Sequence, residues 1–233
     1  MKKLFIGVAF AGSLFINAQE KTKSSSPITF GVKAGLNAST ISRSDDRYYE
    51  SGDHNDEDKL KVGFQAGVFV NIPVAEKFSI QPELLFSQLG SKVEETYSYY
   101  SSNYGFKSNF EYKANLNYLT LPVMVQYNIL PQLYVEAGPE FGYLLGGKIK
   151  GDDTRTTIKG NSTTISKESY SEDLPMDLYR RFNFGIGIGA GYYFTQNFGV
   201  TARFTAGISN IMKETDYKMR NNAFQVGVAY KFK

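Results

Sequence analysis

From residue 28 to the last residues, apolar and polar side chains alternate with a period of two in eight separate segments. They are 28–38, 61–72, 77–89, 117–128, 132–146, 181–194, 199–209 and 222–232. A period of two is the spacing of a strand with two unlike faces. No segment after residue 20 carries a convincing helical period. Most of these runs reach 11 residues or more. That exceeds the roughly 5–6 of a soluble strand and matches the roughly 9–11 that a tilted strand needs to cross a bilayer. The expected fold class is all-β: an eight-stranded antiparallel up-and-down transmembrane β-barrel.

The connections support this. PVAE, ILP and TQNF are short, and they alternate with long stretches at 39–60, 90–116, 147–180 and 210–221. Short turns on one side and long loops on the other is the layout of an outer-membrane barrel. These four stretches are expected as long extracellular loops of a barrel spanning 28–233. Residues 20–27 are expected as a short N-terminal segment. Residues 1–19 read as a signal peptide, with Lys2 and Lys3, an apolar run from Leu4 to Ile16 and a small-residue stretch Asn17-Ala18-Gln19. The run is too short for a spanning helix.

Sorting by parity gives one face without charges or amides. It carries Phe30, Val32 and Leu36, then Val62, Phe64 and Val68, and later Phe184, Ile186 and Ile188. The other face is small or polar. It holds Thr29, Lys33, Asn37, Gln65, Asn71, Gln81, Glu83, Gln126, Glu136, Glu140, Asn183, Thr201, Arg203, Thr205, Gln225 and Lys231, with many glycines. Parity leaves open which face points inward. A soluble barrel would place the apolar face inside. The polar face has too few charges for a soluble surface, which is usually about 25–35% charged. Aromatics also gather near both strand ends, as at two membrane interfaces. Phe30, Phe78, Tyr127, Tyr192, Phe194, Tyr230 and Phe232 form one girdle; Phe86, Tyr118, Tyr143 and Phe182 form the other.

FNFGIGIGAGYYF (182–194) contains Gly185, Gly187 and Ala190 in a loose dinucleotide-fold spacing. A phosphate loop needs a strand, a sharp turn and a helix, whereas here the alternation runs on to Phe194. Gly185, Gly187, Gly189 and Gly191 are therefore expected to line the lumen. They leave space for Tyr134, Glu136, Glu140 and Arg203 from neighbouring strands.

The quoted residues resemble a known group. FGVKAGLN (30–37), NYLTLPVMVQYNI (117–129), YVEAGPEFGYLLGGK (134–148) and the closing GVAYKF (227–232) are similar to the outer-membrane β-barrel "porin family", or PorT-like, proteins of Bacteroides- and Flavobacterium-type Gram-negative bacteria. The resemblance covers the mature chain and implies an outer-membrane barrel. It implies little about activity; PorT-like relatives belong to a protein secretion machinery.

Lys33, Glu83, Glu136, Glu140, Arg203 and Lys231 are expected to form a lumen charge network. Such a set is either a selectivity ring in a narrow pore or a plug of paired charge, and eight strands leave little open width. The lack of cysteine excludes thiolate chemistry. His54, the one histidine, sits in an acidic stretch with Asp53, Asp56 and Asp58. That stretch lacks the glycine and final glutamate of a calcium loop. Catalytic residues, cofactor and metal are all expected to be none. Loss of residues 1–19 removes Lys2 and Lys3 and takes the formal net charge from +3 to +1. Nothing there favours nucleic acid. The partners expected are outer-membrane lipid and lipopolysaccharide. An extracellular ligand or protein would be met through Tyr97, Tyr99, Tyr100, Tyr104 and Tyr112, and lipopolysaccharide phosphates through Lys148, Lys150, Arg155 and Lys159. The leading expectation is a non-enzymatic structural or loop-mediated interaction protein of the outer membrane; the alternatives are a narrow channel or a secretion component.

Overall fold

A strand in hydrocarbon must find partners for every backbone N–H and C=O, so a spanning sheet has to close on itself. This one does. The structure, a computed structural model, describes residues 27–43, 57–213 and 218–232. Its ten strands are β1 (Thr29–Arg43), β2 (Glu57–Lys59), β3 (Lys61–Pro73), β4 (Phe78–Ser101), β5 (Tyr104–Asn128), β6 (Leu133–Lys159), β7 (Ser162–Asp173), β8 (Phe182–Tyr193), β9 (Phe198–Gly207) and β10 (Met219–Lys231). Eight of them form the ring, each hydrogen-bonded to two neighbours in the order β4-β3-β1-β10-β9-β8-β6-β5 and back to β4. All pairs are antiparallel. The ends of the chain meet where β1 runs along β10, from Gly31↔Lys231 to Arg43↔Met219. The expected signal peptide (1–19), residues 20–26, and His54, Asp53 and Asp56 lie outside the described residues.

The two faces sort by solvent exposure in the sense opposite to a soluble protein. Val62 is 70% exposed, and Phe30, Phe182 and Ile188 are each 59% exposed. Glu83, Arg203 and Lys33 are 1%, 2% and 3% exposed. The apolar residues therefore look outward, and the charged ones fill the lumen. Tyr118 does not join the outer girdle expected of it. It shares its parity with the lumen residue Thr120 and is fully buried inside.

Three tight turns join the strands at one end of the ring, between β3 and β4, β5 and β6, and β8 and β9. Each is pinned by backbone bonds such as Ile129 N–H to Leu133 C=O at 2.9 Å and Phe194 N–H to Phe198 C=O at 3.0 Å. The opposite, far end departs from expectation. Segments 90–116 and 147–180, expected as loops, are mostly strand. β4, β5 and β6 run 24, 25 and 27 residues, and only about 9–11 are needed to cross a bilayer. The excess continues outward as a projecting sheet. β7 pairs with the outer part of β6, and β2 pairs with β4 at Lys59↔Lys92. Segments 39–60 and 210–221 are likewise partly strand, since β1 reaches Arg43 and β10 starts at Met219. The physical reason is pairing: once β4 and β5 are locked in register through the barrel, each further residue adds a ladder bond. Gly160, with φ of 56°, makes the tight turn into β7.

Between β5 and β6 the register slips at Asn117/Tyr118. Tyr118 faces Leu144 but Asn117 faces Gly146, which leaves Leu145 unpaired. This bulge switches the inward parity of β6 from even to odd at the point where the strand leaves the barrel.

Candidate functional site

The lumen is filled in layers. At its centre Arg203 on β9 reaches across to two carboxylates. Its Nη1 and Nη2 donate to Glu83 on β4 at 3.0 and 2.8 Å, and its Nε donates to Glu136 Oε1 on β6 at 2.8 Å. Lys33 on β1 donates to Glu83 at 3.3 Å, and Gln81 Nε2 at 2.8 Å. Gln126 Nε2 donates to Glu136 Oε2 at 3.0 Å, and its own oxygen accepts from Asn71 at 2.9 Å. Four of the six expected charges, Lys33, Glu83, Glu136 and Arg203, are thus joined directly. Glu140 stands apart; it accepts from Thr205 Oγ1 at 3.3 Å and makes no ion pair among the described residues. Lys231 lies nearer the short-turn end, 3.9 Å over the ring of Tyr193.

The glycines of β8 make this packing feasible. A Cβ on Gly191 would lie 2.3 Å from the Tyr134 hydroxyl, and one on Gly189 would lie 3.1 Å from Glu136 Oε1. One on Gly187 would lie 3.4 Å from Arg203 Cδ. Gly185 lies opposite Glu140 in the β6–β8 ladder, and a Cβ on it would first meet the Ala206 backbone and Thr205. All four expected neighbours therefore lie beside β8.

Towards the far end the filling turns apolar. Leu89, Leu116, Tyr118 and Leu144 from the wall meet Leu174, Tyr179 and Ile211 from segments that cross the mouth. Those segments are fastened by Leu174 N–H to Gly147 C=O at 3.0 Å, Leu144 N–H to Arg181 C=O at 2.6 Å and Arg180 N–H to Ile211 C=O at 2.8 Å. Asn221 donates to the Tyr118 hydroxyl at 3.1 Å beneath this cap. Sequence reasoning passed over the cap because its residues share the parity of the polar face or fall in stretches read as loops. The signal was there: Leu89, Leu116 and Leu144 are bulky apolar residues at inward positions. Between cap and charge layer a cavity of about 10 Å³ remains, lined by Glu140, Thr205 and Asn221 among others. It is about the size of one water.

The projecting sheet has two unlike faces. Its inner face, continuing the lumen wall, carries Tyr97, Tyr99, Tyr104, Phe106, Phe110, Tyr112 and Tyr170. Ring centroids are 6.1 Å apart for Tyr97–Phe106 and 6.3 Å for Phe110–Tyr170. Tyr100 points to the other face, as its position beside Tyr99 dictates. The outer face bears a zigzag of ion pairs. Lys59 meets Glu94, Lys92 meets Glu94 and Glu111 at 2.7 Å each, and Lys113 meets Glu111. Hydrogen bonds from Lys59 and then Lys92 hold the Glu94 carboxyl down at about 2. Glu111 is lowered by its bonds from Lys113 and Lys92. Lys148 is 3.8 Å from Asp173, and Arg155 Nε donates to Asp153 at 2.7 Å. Among the described residues no cluster of three or more histidine or acidic side chains could hold a metal ion.

Residues 17–213 match the family described as "Outer membrane protein beta-barrel domain". The chain belongs to that family. As an outer membrane β-barrel protein it aligns with several solved structures. With Ail, the attachment invasion locus protein of Yersinia pestis, it shares 13% identity over 88% of this chain and 98% of that one, at a TM-score of 0.39. With Neisserial surface protein A the values are 12%, 89%, 100% and 0.40. With the outer membrane protein OprG from Pseudomonas aeruginosa they are 10%, 88%, 95% and 0.36. A search of curated proteins found no match.

Proposed function

We propose that this outer-membrane barrel is a non-enzymatic anchor. It holds a rigid recognition sheet above the membrane, and its lumen is a structural plug rather than a conduit. By the layout common to outer-membrane barrels, the short turns face the periplasm and the projecting sheet faces outward. The observation that carries the reading is the aromatic inner face of that sheet. Tyr97 and Tyr99, each 53% exposed, and Tyr104, 39% exposed, stand on paired strands instead of a loose loop. Tyrosine offers a large contact area at low entropy cost, and a strand scaffold removes most of the ordering cost that a loop would carry on binding. Outer-membrane lipid surrounds the barrel, and Lys148, Lys150, Arg155 and Lys159 lie in the part of β6 that leaves it, within reach of lipopolysaccharide phosphates.

The narrow-channel alternative requires an open path. Against it stand the charge layer, the amide layer and the apolar cap, stacked in series along one lumen. No residue pattern described above favours a PorT-like secretion role over a recognition role. A signal peptide at 1–19 accounts for export of the chain to this membrane. Two measurements test the proposal. Purified protein in planar bilayers is expected to give no stable unit currents of porin size. Surface capture from intact cells is expected to fail for a chain whose β4–β7 projection has been shortened while its barrel stays folded. Reproducible large unit currents, or capture unchanged by the shortening, would refute it.

A further inference from the structure

The short-turn end of the lumen is open where the far end is capped. A cavity of about 460 Å³ lies there, in the size range of small-molecule sites. Its mouth is framed by the tight turns, with Phe78, Leu130 and Pro131 along the rim. Its inner end is formed by Tyr134, Tyr193 and Lys231, beside the interbonded amides of Asn71 and Gln126.

Two features of this inner end lack an acceptor. The hydroxyl of Tyr134, a residue only 3% exposed, is buried without any hydrogen-bond partner. Lys231 brings its ammonium into the same cavity and makes no ion pair among the described residues; its contact is the face of the Tyr193 ring at 3.9 Å. A ring face attracts a cation but leaves the N–H donors of the ammonium without acceptors. The two cations of the central charge layer are matched by carboxylates: Arg203 by two, Lys33 by one. The acid that lines the cavity, Glu76, belongs to an exposed turn at the rim, beside Lys77. What the Lys231 ammonium lacks, among the described residues, is a negative oxygen.

We propose that this cavity binds a small anion, a carboxylate or a phosphate, held by the Lys231 ammonium and the Tyr134 hydroxyl and entering from the short-turn side. The charge layer behind Tyr134 ends the path, so the site is a blind receptor and not a stage of permeation. The aliphatic and aromatic rim suits an anion with a short apolar body. The binding groups are distinct from the projecting sheet, so this inference stands whether or not that sheet recognises a partner.

The test is calorimetric titration of the folded protein in detergent with inorganic phosphate and, separately, with butyrate. Folding is checked by far-ultraviolet circular dichroism. Saturable one-site binding of at least one anion is expected, and the arm that binds tells a phosphate site from a carboxylate site. K231Q should weaken binding about tenfold or more, as loss of a charged hydrogen bond implies. K231R should retain it, and Y134F should weaken it several-fold. Absence of saturable binding of both anions to folded wild-type protein overturns the proposal. So does binding to folded K231Q as tight as to wild type, which would place the anion on the exterior lysines.

Discussion

Replacing Arg203 with methionine keeps most of the side-chain volume and removes the one cation shared by two buried carboxylates. The loss can be followed contact by contact. Glu83 keeps Lys33 at 3.3 Å and Gln81 at 2.8 Å. Glu136 keeps only Gln126 at 3.0 Å and becomes a buried anion without a counter-charge. Removing one partner of a buried pair costs about 3–5 kcal/mol, and R203M is expected to fall in that range. Adding E136Q to R203M removes the orphaned charge and should restore about 1–3 kcal/mol, the desolvation penalty of an unpaired polar group. In the wild-type background the same E136Q change should destabilise, because it strips Arg203 of a partner. The assay is reversible urea unfolding in phospholipid vesicles, extrapolated linearly to water. The reasoning is refuted if R203M costs less than about 1 kcal/mol, or if E136Q harms both backgrounds equally.

Further outcomes follow from single positions. Gly191→Val places a side chain against Tyr134 and should cost about 1–3 kcal/mol in the same unfolding assay, whereas Gly146→Ala, with no heavy atom within 4 Å of its new Cβ, should stay within experimental error. Ile188→Lys puts a charge at mid-strand on the outward face and should cost about 2–4 kcal/mol in bilayers, with Phe182→Lys near the strand end costing clearly less. The ion pairs of Glu94 and Glu111 stabilise the projecting sheet only while both carboxylates are ionised. Their folded-state values lie below the ordinary 4.5, so this contribution is complete above about pH 4.5 and is lost as pH falls towards about 2. Amide exchange along residues 91–101 and 104–113 should therefore quicken selectively over that interval, and E94Q should flatten the response.

The barrel was legible because a bilayer imposes contrast. Ile186, Ile188, Gly187 and Gly189 alternate so sharply that strand, register face and lumen all follow from parity. The charges of the lumen were legible for the same reason: Lys33, Glu83, Glu136 and Arg203 interrupt runs that are otherwise small or apolar. Which charges touch was not legible, since that depends on how strands 50 to 120 residues apart lie across the lumen. The projecting sheet was missed because water bathes both of its faces, so Lys92, Glu94 and Thr96 look like loop composition. A signal was nonetheless present, for Tyr97 and Tyr99, then Tyr104 and Phe106, then Phe110 and Tyr112, keep the period of two. The vestibule lysine was recognised as inward-facing, but its isolation from the other charges needed the three-dimensional arrangement.

The Arg203 layer also constrains how the protein can enter a bilayer. Its members come from β1, β4, β6 and β9, four separate walls of the cylinder. A half-built sheet would offer Glu83 and Glu136 to hydrocarbon with the guanidinium still elsewhere. Stepwise insertion, hairpin by hairpin, therefore passes through naked ions in oil, while docking of the first strand on the last neutralises them all at once. The molecule is built to cross the threshold as a finished cylinder or to wait outside it.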